Sequence, residues 1–195
     1  MVIGLTGKSC SGKNVVGQIL SDAGYLVWDT DAMCHDGLIE NKDAVISVFG
    51  EETGLDRKKI GKVVFSDPSK RKALEDILYP WLRRQVTGWK NSNPRGVLFL
   101  NGALLYRAGF ADLCDCVVYV DAPYEVRLQR AMERDGVTGE VFALREKSQQ
   151  DVDFRTVDYG IPVHVVSNCD GDFDNLNRQV FNICDKIGIF QGNRN

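Results

Sequence analysis

Residues 2–16 of the chain read VIGLTGKSCSGKNVV. Residues 2–6 form an apolar run typical of a buried strand, and apolar side chains recur at helical spacing after Lys13. Between these two patterns, Gly7, Gly12 and Lys13 meet the spacing G-x-x-x-x-G-K, in which backbone N–H groups and a helix N-terminus surround a phosphate. The stretch predicts a nucleotide phosphate-binding loop in an α/β fold. The alternative is a glycine-rich turn that binds nothing, but the flanking strand and helix favour the phosphate loop.

The loop and the first turn of its helix are predicted to bind ATP. The residues assigned to this contact are Gly7, Cys10, Ser11, Gly12, Lys13, Asn14 and Val15. Lys13 is long enough to reach the β- and γ-phosphates. Asn14 stands where Ser or Thr normally ligates Mg²⁺, and because an amide oxygen is a hard, neutral ligand, we predict that Asn14 holds Mg²⁺ directly or through water. Lys8 is expected to point into solvent, as most isolated surface lysines do.

Two aspartates follow a second strand-like run, at Asp29 and Asp31. In an extended chain, residues two apart point to the same side, so both carboxylates are predicted to face the open end of the sheet. There one of them is suited to act as a general base toward a substrate hydroxyl. The alternative is structural: Asp29 ends the strand and Asp31 caps the next helix.

Further along the chain, apolar runs and amphipathic stretches alternate as expected of a parallel sheet covered by helices. The runs that predict strands after the first are 25–28, 97–100, 116–120 and 163–166. The stretches that predict helices after the loop are 69–90, 123–134 and 176–187. Pro80 is expected to kink or divide the first of these helices. Together the patterns predict a doubly wound α/β fold.

Composition limits the classes of function. The chain has 195 residues, 44% of them hydrophobic and 26% charged, which favours one ordered domain over a disordered chain. Its net charge of −3 indicates no general attraction to nucleic acid, so no nucleic-acid partner is expected. Six cysteines occur without a C-x-x-C pair and are expected to be reduced thiols. The N-terminal apolar run is too short for a signal peptide or a membrane span, so a cytoplasmic protein without a membrane partner is expected.

Five segments, taken in order, resemble the successive landmarks of the dephospho-CoA kinase family. They are VIGLTGKSCSGKNVV (2–16), VWDTDAM (27–33), FSDPSKRKALEDILYPWLRRQV (65–86), NGALLYRAGFADLCDCVVYVDAP (101–123) and RLQRAMERDG (127–136). The resemblance implies transfer of the γ-phosphate of ATP, with Mg²⁺, to the ribose 3'-hydroxyl of dephospho-CoA. It also implies a single domain with a three-layer P-loop NTPase-type core at about 1–30, 95–134 and 159–190, a helical CoA-substrate region at about 31–94 and a mobile lid at about 135–158.

The same resemblance implies roles for individual residues. Asp31 matches the catalytic base and Asp29 its partner in the substrate pocket, and Tyr79 stands at a substrate position where the family typically has His. Lys13 and Arg134 are the other residues assigned to catalysis, Arg134 because arginines at the start of the family's lid approach the phosphates. We expect one or two of the basic residues in and before the lid to touch phosphate and the others to be exposed. These residues are Arg127, Arg130, Arg134, Arg145, Lys147 and Arg155.

Two other functions fit parts of the sequence. Shikimate- and gluconate-type kinases share a phosphate loop and an Asp-x-Asp like that at 29–31, but this chain lacks the Gly-Gly-Gly run that forms their substrate pocket. A nucleotide-binding protein that has lost catalysis is the third hypothesis, because Asn14 replaces Ser or Thr and Tyr106-Arg107 replaces the family's usual aromatic-Glu pair. The sequence leaves the oligomeric state open.

Overall fold

A computed structural model describes residues 1–103, 105, 109–169 and 171–189. The chain divides into two compact units, of which the first comprises Met1–Val27 with Arg95–Asn195 and the second comprises Trp28–Pro94. The second unit has bounds close to those of the predicted helical substrate region, 31–94. Tyr106 and Arg107, on which one hypothesis partly rested, lie outside the described residues.

A five-stranded sheet organises the first unit, with the strand order β2-β3-β1-β4-β5. The strands are β1 (Val2–Thr6), β2 (Leu26–Asp29), β3 (Leu98–Asn101), β4 (Cys116–Asp121) and β5 (Val163–Ser167). β1 pairs in parallel with both β3 and β4, and β4 pairs in parallel with β5. The predicted parallel α/β sheet is confirmed, with the first strand correct to the residue and the others shifted or lengthened by one. Because β1 lies centrally, its carboxyl end opens at the crevice where ligands bind in such sheets.

The helices in the described residues are α1 (Lys13–Asp22), α2 (Thr30–Glu40), α3 (Lys42–Phe49), α4 (Arg57–Ser66), α5 (Pro68–Ser92), α6 (Tyr124–Asp135), α7 (Gly139–Ser148) and α8 (Phe173–Lys186). Four helices match the sequence patterns, namely α1, α5, α6 and α8, whereas no pattern predicted α2, α3, α4 or α7. None of these helices is long and apolar enough to cross a membrane.

Both faces of the sheet are covered, as the three-layer prediction requires. On one face, Val118 and Val120 of β4 join a buried cluster with apolar side chains of β1, α1 and α8. The alternate residue Val117 belongs to a second cluster, with Ala111 and Tyr159. Burying apolar side chains on both sides stabilises the sheet by about 25 cal/mol for each Å² removed from water. This packing fixes the carboxyl end of β1, where the glycine loop begins.

The second unit is a group of helices in which α5 contacts α2, α3 and α4. Its core includes Leu38, Val45 and Ile60 from three different helices. Pro80 was expected to kink or divide this helix; division is wrong, because α5 runs unbroken from Pro68 to Ser92 with Pro80 inside it, and a kink stays a prediction. A proline inside a helix costs about 3 kcal/mol, and buried side chains around it offset this cost: Leu78, Trp81, Leu82 and Val86.

Candidate active site

The loop between β1 and α1 needs glycine at two positions, because other atoms occupy the space of a side chain. A Cβ on Gly7 would lie 2.4 Å from the carbonyl oxygen of Val120, and one on Gly12 would lie 2.2 Å from Nδ2 of Asn168. Cys10 is not a glycine, yet its φ of 62° is left-handed. Non-glycine residues hold such a conformation only where their surroundings impose it, often at binding sites. The glycines bring the backbone close to its neighbours and shape a tight, strained turn.

Two side chains hold the carbonyl groups of this loop. Asn168 Nδ2 donates a hydrogen bond to the Ser11 carbonyl at 2.8 Å, and Arg130 Nη1 donates to the Cys10 and Ser11 carbonyls at 3.4 Å each. Arg130 also donates to Asn168 Oδ1 at 3.2 Å. Because the C=O and N–H of a trans peptide point in opposite directions, carbonyls held on this side leave the N–H groups directed to the other. The sequence placed Arg130 among six basic residues of which one or two were expected to touch phosphate, but it predicted neither of these contacts with the loop carbonyls.

The N-terminus of α1 opens onto the loop. Its N-cap is Gly12, which offers no side-chain hydrogen bond, and the first N–H groups of a helix lack partners within the helix. With the helix dipole, these groups favour an anion at this end. Ser11 Oγ is buried and has no hydrogen-bond partner among the described residues. An unpaired buried hydroxyl costs about 1–3 kcal/mol, and this one can reach a phosphate oxygen only if the Ser11 side chain turns.

Lys13 at the start of α1 is held by two amide side chains. Its Nζ donates to Asn14 Oδ1 at 2.9 Å and to Asn101 Oδ1 at 3.2 Å. Asn101 Nδ2 in turn donates to Asn14 Oδ1 at 3.1 Å. Asn101 is the last residue of β3, the strand beside β1, and sequence reasoning missed it. The signal that could have found Asn101 is its place as the polar last residue of an otherwise apolar strand, because ligands bind beyond the carboxyl ends of such strands.

The donor set beside Lys13 fits a Mg²⁺ ion brought in by a nucleotide better than a resident metal. No group of three or more His, Cys, Asp or Glu suited to a metal occurs in the described part of the chain. Asn14 Oδ1 already accepts two hydrogen bonds, and an amide oxygen has two lone pairs. Direct coordination by Asn14 therefore requires Lys13 or Asn101 to release Asn14 Oδ1, and a contact through water requires the exposed Asn14 amide to turn.

A cavity of 480 Å³ adjoins the loop, within the range of about 300–1,000 Å³ usual for small-molecule sites. Its lining includes Cys10 and Val15 from the loop side and Phe173 and Leu176 from α8. Phe173 is 55% exposed and Val15 43% exposed, so apolar surface is available to a planar ring. Arg134 also lines the cavity, which therefore combines apolar and cationic contacts as a nucleotide requires.

Arg134 lies at the loop, as the sequence predicted for a phosphate ligand, but it is already engaged. Its Nη2 is 3.5 Å from Cys10 Sγ, and its Nε donates to Asp135 Oδ1 at 2.7 Å. Arg145 donates to the other Asp135 oxygen at 2.7 Å. The hydrogen bond from Arg134, followed by that from Arg145, holds the pKa of Asp135 well below its ordinary value. Asp135 thus orients Arg134 beside the loop.

The expectation that Lys8 points into solvent is wrong. Lys8 Nζ lies 2.7 Å from Glu146 and 3.0 Å from Asp153, and its side chain is only 15% exposed. The neighbouring backbone N–H of Ser9 donates to Gln149 Oε1 at 2.8 Å. Burial lowers the pKa of Lys8, but hydrogen bonds to the two carboxylates outweigh it and raise the pKa. Both carboxylates belong to the predicted lid segment, 135–158, so this segment contacts the phosphate loop through Lys8.

Four of the six basic residues in and before the lid form ion pairs. Arg134 and Arg155 are nevertheless exposed, as expected for most of the six, whereas Arg127, Arg130 and Arg145 are not. Arg127 is buried, and it donates to Glu146 through Nη1 at 2.7 Å and Nη2 at 3.1 Å. Arg155 pairs with Asp121. Lys147 is exposed, as expected. The reason is that carboxylates from β4, α6 and α7 lie within reach, and a paired arginine is less costly to bury than an unpaired one.

Asp29 and Asp31 lie in the second unit and do not form the extended pair that was predicted. Asp29 ends β2 and caps α2, because its Oδ1 accepts from the N–H groups of Asp31 and Ala32 at 2.8 and 3.1 Å. Asp31 is therefore an exposed first-turn residue of α2, and the cap is Asp29 rather than Asp31. Tyr79 is half-buried in α5. The two residues are not both extended because helix α2 begins at Thr30, directly after the strand, and Asp29 is its N-cap.

The structure thus brings the predicted ATP-binding residues into one loop with Arg134 at its edge, all within the first unit. It adds three side chains that complete the loop: Asn101, Arg130 and Asn168. The predicted substrate residues belong to the second unit.

Comparison with known proteins places this arrangement in a family. A model of the dephospho-CoA kinase family matches residues 1–159. The dephospho-CoA kinase of Fusobacterium nucleatum is 31% identical over 186 residues, covering 91% of this chain and 96% of that protein. A crystal structure from Thermus thermophilus has a TM-score of 0.80 at 29% identity, covering 96% of this chain and 97% of that one. Shikimate kinase from Acinetobacter baumannii shares the fold alone, with a TM-score of 0.54 at 17% identity.

Proposed function

This chain belongs to the dephospho-CoA kinase family, and we propose that it transfers the γ-phosphate of ATP to the ribose 3'-hydroxyl of dephospho-CoA, giving coenzyme A and ADP. The observation that carries the proposal is the phosphate loop, whose carbonyls are held by Asn168 and Arg130 while Lys13 is held at its helix by Asn101. This arrangement supplies N–H groups, a helix N-terminus and an ammonium group to a polyphosphate.

ATP binds with its phosphates in the loop and its base in the adjoining cavity. The N–H groups of Gly12, Lys13 and Asn14, where the loop enters α1, donate to the phosphate oxygens, and the Lys13 side chain reaches the β- and γ-phosphates. Phe173 and Val15 offer apolar surface to the adenine ring. Since exclusion of water strengthens each of these electrostatic contacts, the lid residues Glu146 and Gln149, which contact the loop, contribute by covering the phosphates.

Arg134 stabilises the charge that develops on the transferred phosphoryl group. Phosphoryl transfer passes through a loose transition state with charge on the equatorial oxygens, and a guanidinium placed there lowers the barrier. The Arg134 guanidinium is beside the loop residue Cys10 and is oriented by Asp135. Mg²⁺ carried by ATP would neutralise charge between the β- and γ-phosphates, with Asn14 contacting it through water.

Asp31 is the proposed base for the acceptor hydroxyl. It lies in the first turn of α2 with an exposed side chain, and its N–H is fixed by the cap that Asp29 provides. The carboxylate accepts the proton of the ribose 3'-hydroxyl as that oxygen attacks phosphorus, while ADP leaves. Asp29 and Tyr79 are proposed substrate contacts on the strength of the family resemblance. Cytoplasmic location and the lack of nucleic-acid and membrane partners stay predictions.

The proposal is tested by incubating the protein with Mg-ATP and dephospho-CoA and detecting coenzyme A by mass spectrometry. Asp31→Ala is expected to lower kcat about 10²-fold or more, the usual contribution of a general base. The matched control is Asp36→Ala, an exposed aspartate of the same helix, which is expected to keep activity within about twofold. ATP binding without any coenzyme A formed would overturn the proposal. Shikimate and gluconate serve as alternative acceptors.

A further inference from the structure

Three side chains at the phosphate loop form a closed ring of hydrogen bonds. Lys13 Nζ donates to Asn14 Oδ1 and Asn101 Oδ1 at 2.9 and 3.2 Å, and Asn101 Nδ2 donates to Asn14 Oδ1 at 3.1 Å. Asn101 is only 4% exposed, so its amide is fixed by the sheet. Asn14 is exposed, on the side where the loop opens. The buried amide therefore anchors one side of the ammonium group while the other side stays accessible.

Hydrogen-bond chemistry dictates which way each amide points. An ammonium group can only donate, so the oxygen atoms of both asparagines must face Lys13. With its oxygen turned to Lys13, Asn101 has its NH₂ group left for Asn14 Oδ1, which needs a donor. One orientation of each amide satisfies every bond, and the ring is self-consistent.

The neutral charge of the two amides matters for the function of Lys13. A carboxylate at either position would form an ion pair with the ammonium group and offset the positive charge that phosphates need. An amide oxygen accepts the same hydrogen bond from Lys13 Nζ and leaves the positive charge of the ammonium group in place. A lysine side chain also loses much rotamer freedom when it is fixed, and an anchor present before the ligand arrives reduces that loss on binding.

We propose that Asn101 is a positioning residue that, together with Asn14, holds the Lys13 ammonium at the phosphate loop for ATP. Asn14 serves in this arrangement as a partner of Lys13 rather than as a direct ligand of Mg²⁺. The inference rests on the proposed function only in that Lys13 contacts the phosphates of ATP, and it adds a residue to which the sequence assigned no role.

A double-mutant cycle on ATP binding tests this role. Affinity is measured by calorimetry in EDTA, without metal or acceptor, for the unaltered chain, Asn101→Leu, Lys13→Met and the double variant. Asn101→Leu is expected to weaken ATP binding about tenfold in the Lys13 chain and less than about twofold in the Lys13→Met chain, since coupled residues are not additive. Equal losses in both chains, or no loss in the Lys13 chain, would overturn the proposal.

The control is Gln179→Ala, in the same unit. Gln179 exchanges two amide hydrogen bonds with Ser167, both 2.9 Å long, so its loss removes comparable bonds without touching Lys13. ATP affinity is expected to stay within about twofold in both backgrounds. Thermal midpoints of all variants are recorded, and if Asn101→Leu does not fold, Asn101→Ser, whose hydroxyl is too short to reach Nζ, replaces it with the same expected pattern.

The role of Asn14 is tested by its response to metal. Asn14→Ala is expected to weaken metal-free ATP binding but to keep the gain in affinity on adding Mg²⁺ within about twofold of the unaltered chain's gain. If the Mg²⁺-dependent gain disappears, Asn14 is a direct ligand and that half of the inference fails. These binding experiments contain no acceptor. If Asn101 and Lys13 are coupled in ATP binding but the protein makes no coenzyme A, the proposed function fails and this inference stands.

Discussion

Gly12 carries two constraints at once. Its φ of 96° is left-handed, and an added Cβ would lie 2.2 Å from Asn168 Nδ2. Gly12→Ala must therefore push Asn168 away from the Ser11 carbonyl that it holds, which turns the loop peptides out of position. We expect Gly12→Ala to weaken ATP binding by about tenfold or more, given the strain of about 1–3 kcal/mol for such a residue.

The control for Gly12→Ala is the same substitution at a glycine outside the phosphate loop. Gly88 lies in helix α5 with no atom within 4 Å of an added Cβ. Gly88→Ala is expected to leave ATP affinity unchanged and to stabilise the fold by about 0.5–1 kcal/mol, because alanine favours a helix interior. Calorimetric ATP titrations and denaturant unfolding of both variants check the pair. A Gly12→Ala protein that binds ATP normally would contradict the proposed loop.

Asn14→Ser probes the departure from the usual phosphate-loop pattern. A hydroxyl at position 14 can ligate Mg²⁺ and, being neutral, leaves the charge of Lys13 intact. We expect the variant to keep the Mg²⁺-dependent kcat or to raise it by up to about tenfold. The gain is limited because the serine hydroxyl adds only one oxygen ligand to the ion. Steady-state assays at varied Mg²⁺ measure it. A large fall in kcat would show that the hold of Asn14 on Lys13, which the shorter serine loses, contributes more to turnover than a direct Mg²⁺ ligand does.

Residues whose position depends on the local pattern could be predicted, and those that depend on distant partners could not. Gly7, Gly12 and Lys13 follow from the spacing of one motif. Asn101 lies 87 positions beyond Asn14 in the chain yet bonds to it, and only the pairing of β3 with β1 brings them together. Lys8 was misjudged for the same reason, since the carboxylate of Glu146 comes from a separate helix.

Elements were predicted well where one face is apolar, and less well at their ends. The buried residues of α8 recur at the spacing that the sequence showed, with Leu176, Val180 and Ile183 in the core. Because Asp29 caps α2 and the helix begins at Thr30, Asp31 is helical and the two aspartates do not share the extended geometry that was predicted. In α5, tertiary packing overrode the propensity of Pro80 to break a helix.

Helix α7 and the loop are joined by a charge cluster that should set part of the acid stability. Glu146 accepts from both Arg127 and Lys8. Burial raises the pKa of Glu146, but the hydrogen bonds from Arg127 and then Lys8 outweigh it, so the pKa falls below 4.5. The stabilisation is therefore present above pH 4.5 and is lost as pH falls through the lower folded value.

Glu146→Gln is expected to cost about 2 kcal/mol at pH 7, which is about 4–8 °C in Tm for a chain of this size. The difference in Tm from the unaltered chain should shrink as the pH is lowered below 4.5. Glu140→Gln, an exposed glutamate of the same helix, should cost about 0.5 kcal/mol or less. Thermal unfolding followed by circular dichroism between pH 7 and acid measures both. A constant difference at all pH values would contradict the assignment.

At the scale of the whole molecule, the division into two units suggests a division of ligands. The ATP-binding residues belong to the first unit, whereas Asp31 and the helices α2 to α5 form the second. The family resemblance assigns the second unit to the CoA substrate. The resemblance also implied bounds of about 31–94 for this helical region, close to the Trp28–Pro94 of the second unit.

Hydrogen exchange followed by mass spectrometry tests this division, because each ligand slows exchange only in the backbone that it stabilises. At about 100 times its Kd, a ligand stabilises its binding state by about 2.7 kcal/mol, which slows the affected amides about 100-fold. ATP alone is expected to protect residues 7–15 and 171–176, and dephospho-CoA alone to protect amides within 31–94. Lys13→Met should remove the first pattern and keep the second. Equal protection of the second unit by ATP alone would contradict separate sites, because Lys13 and the cavity residues all lie in the first.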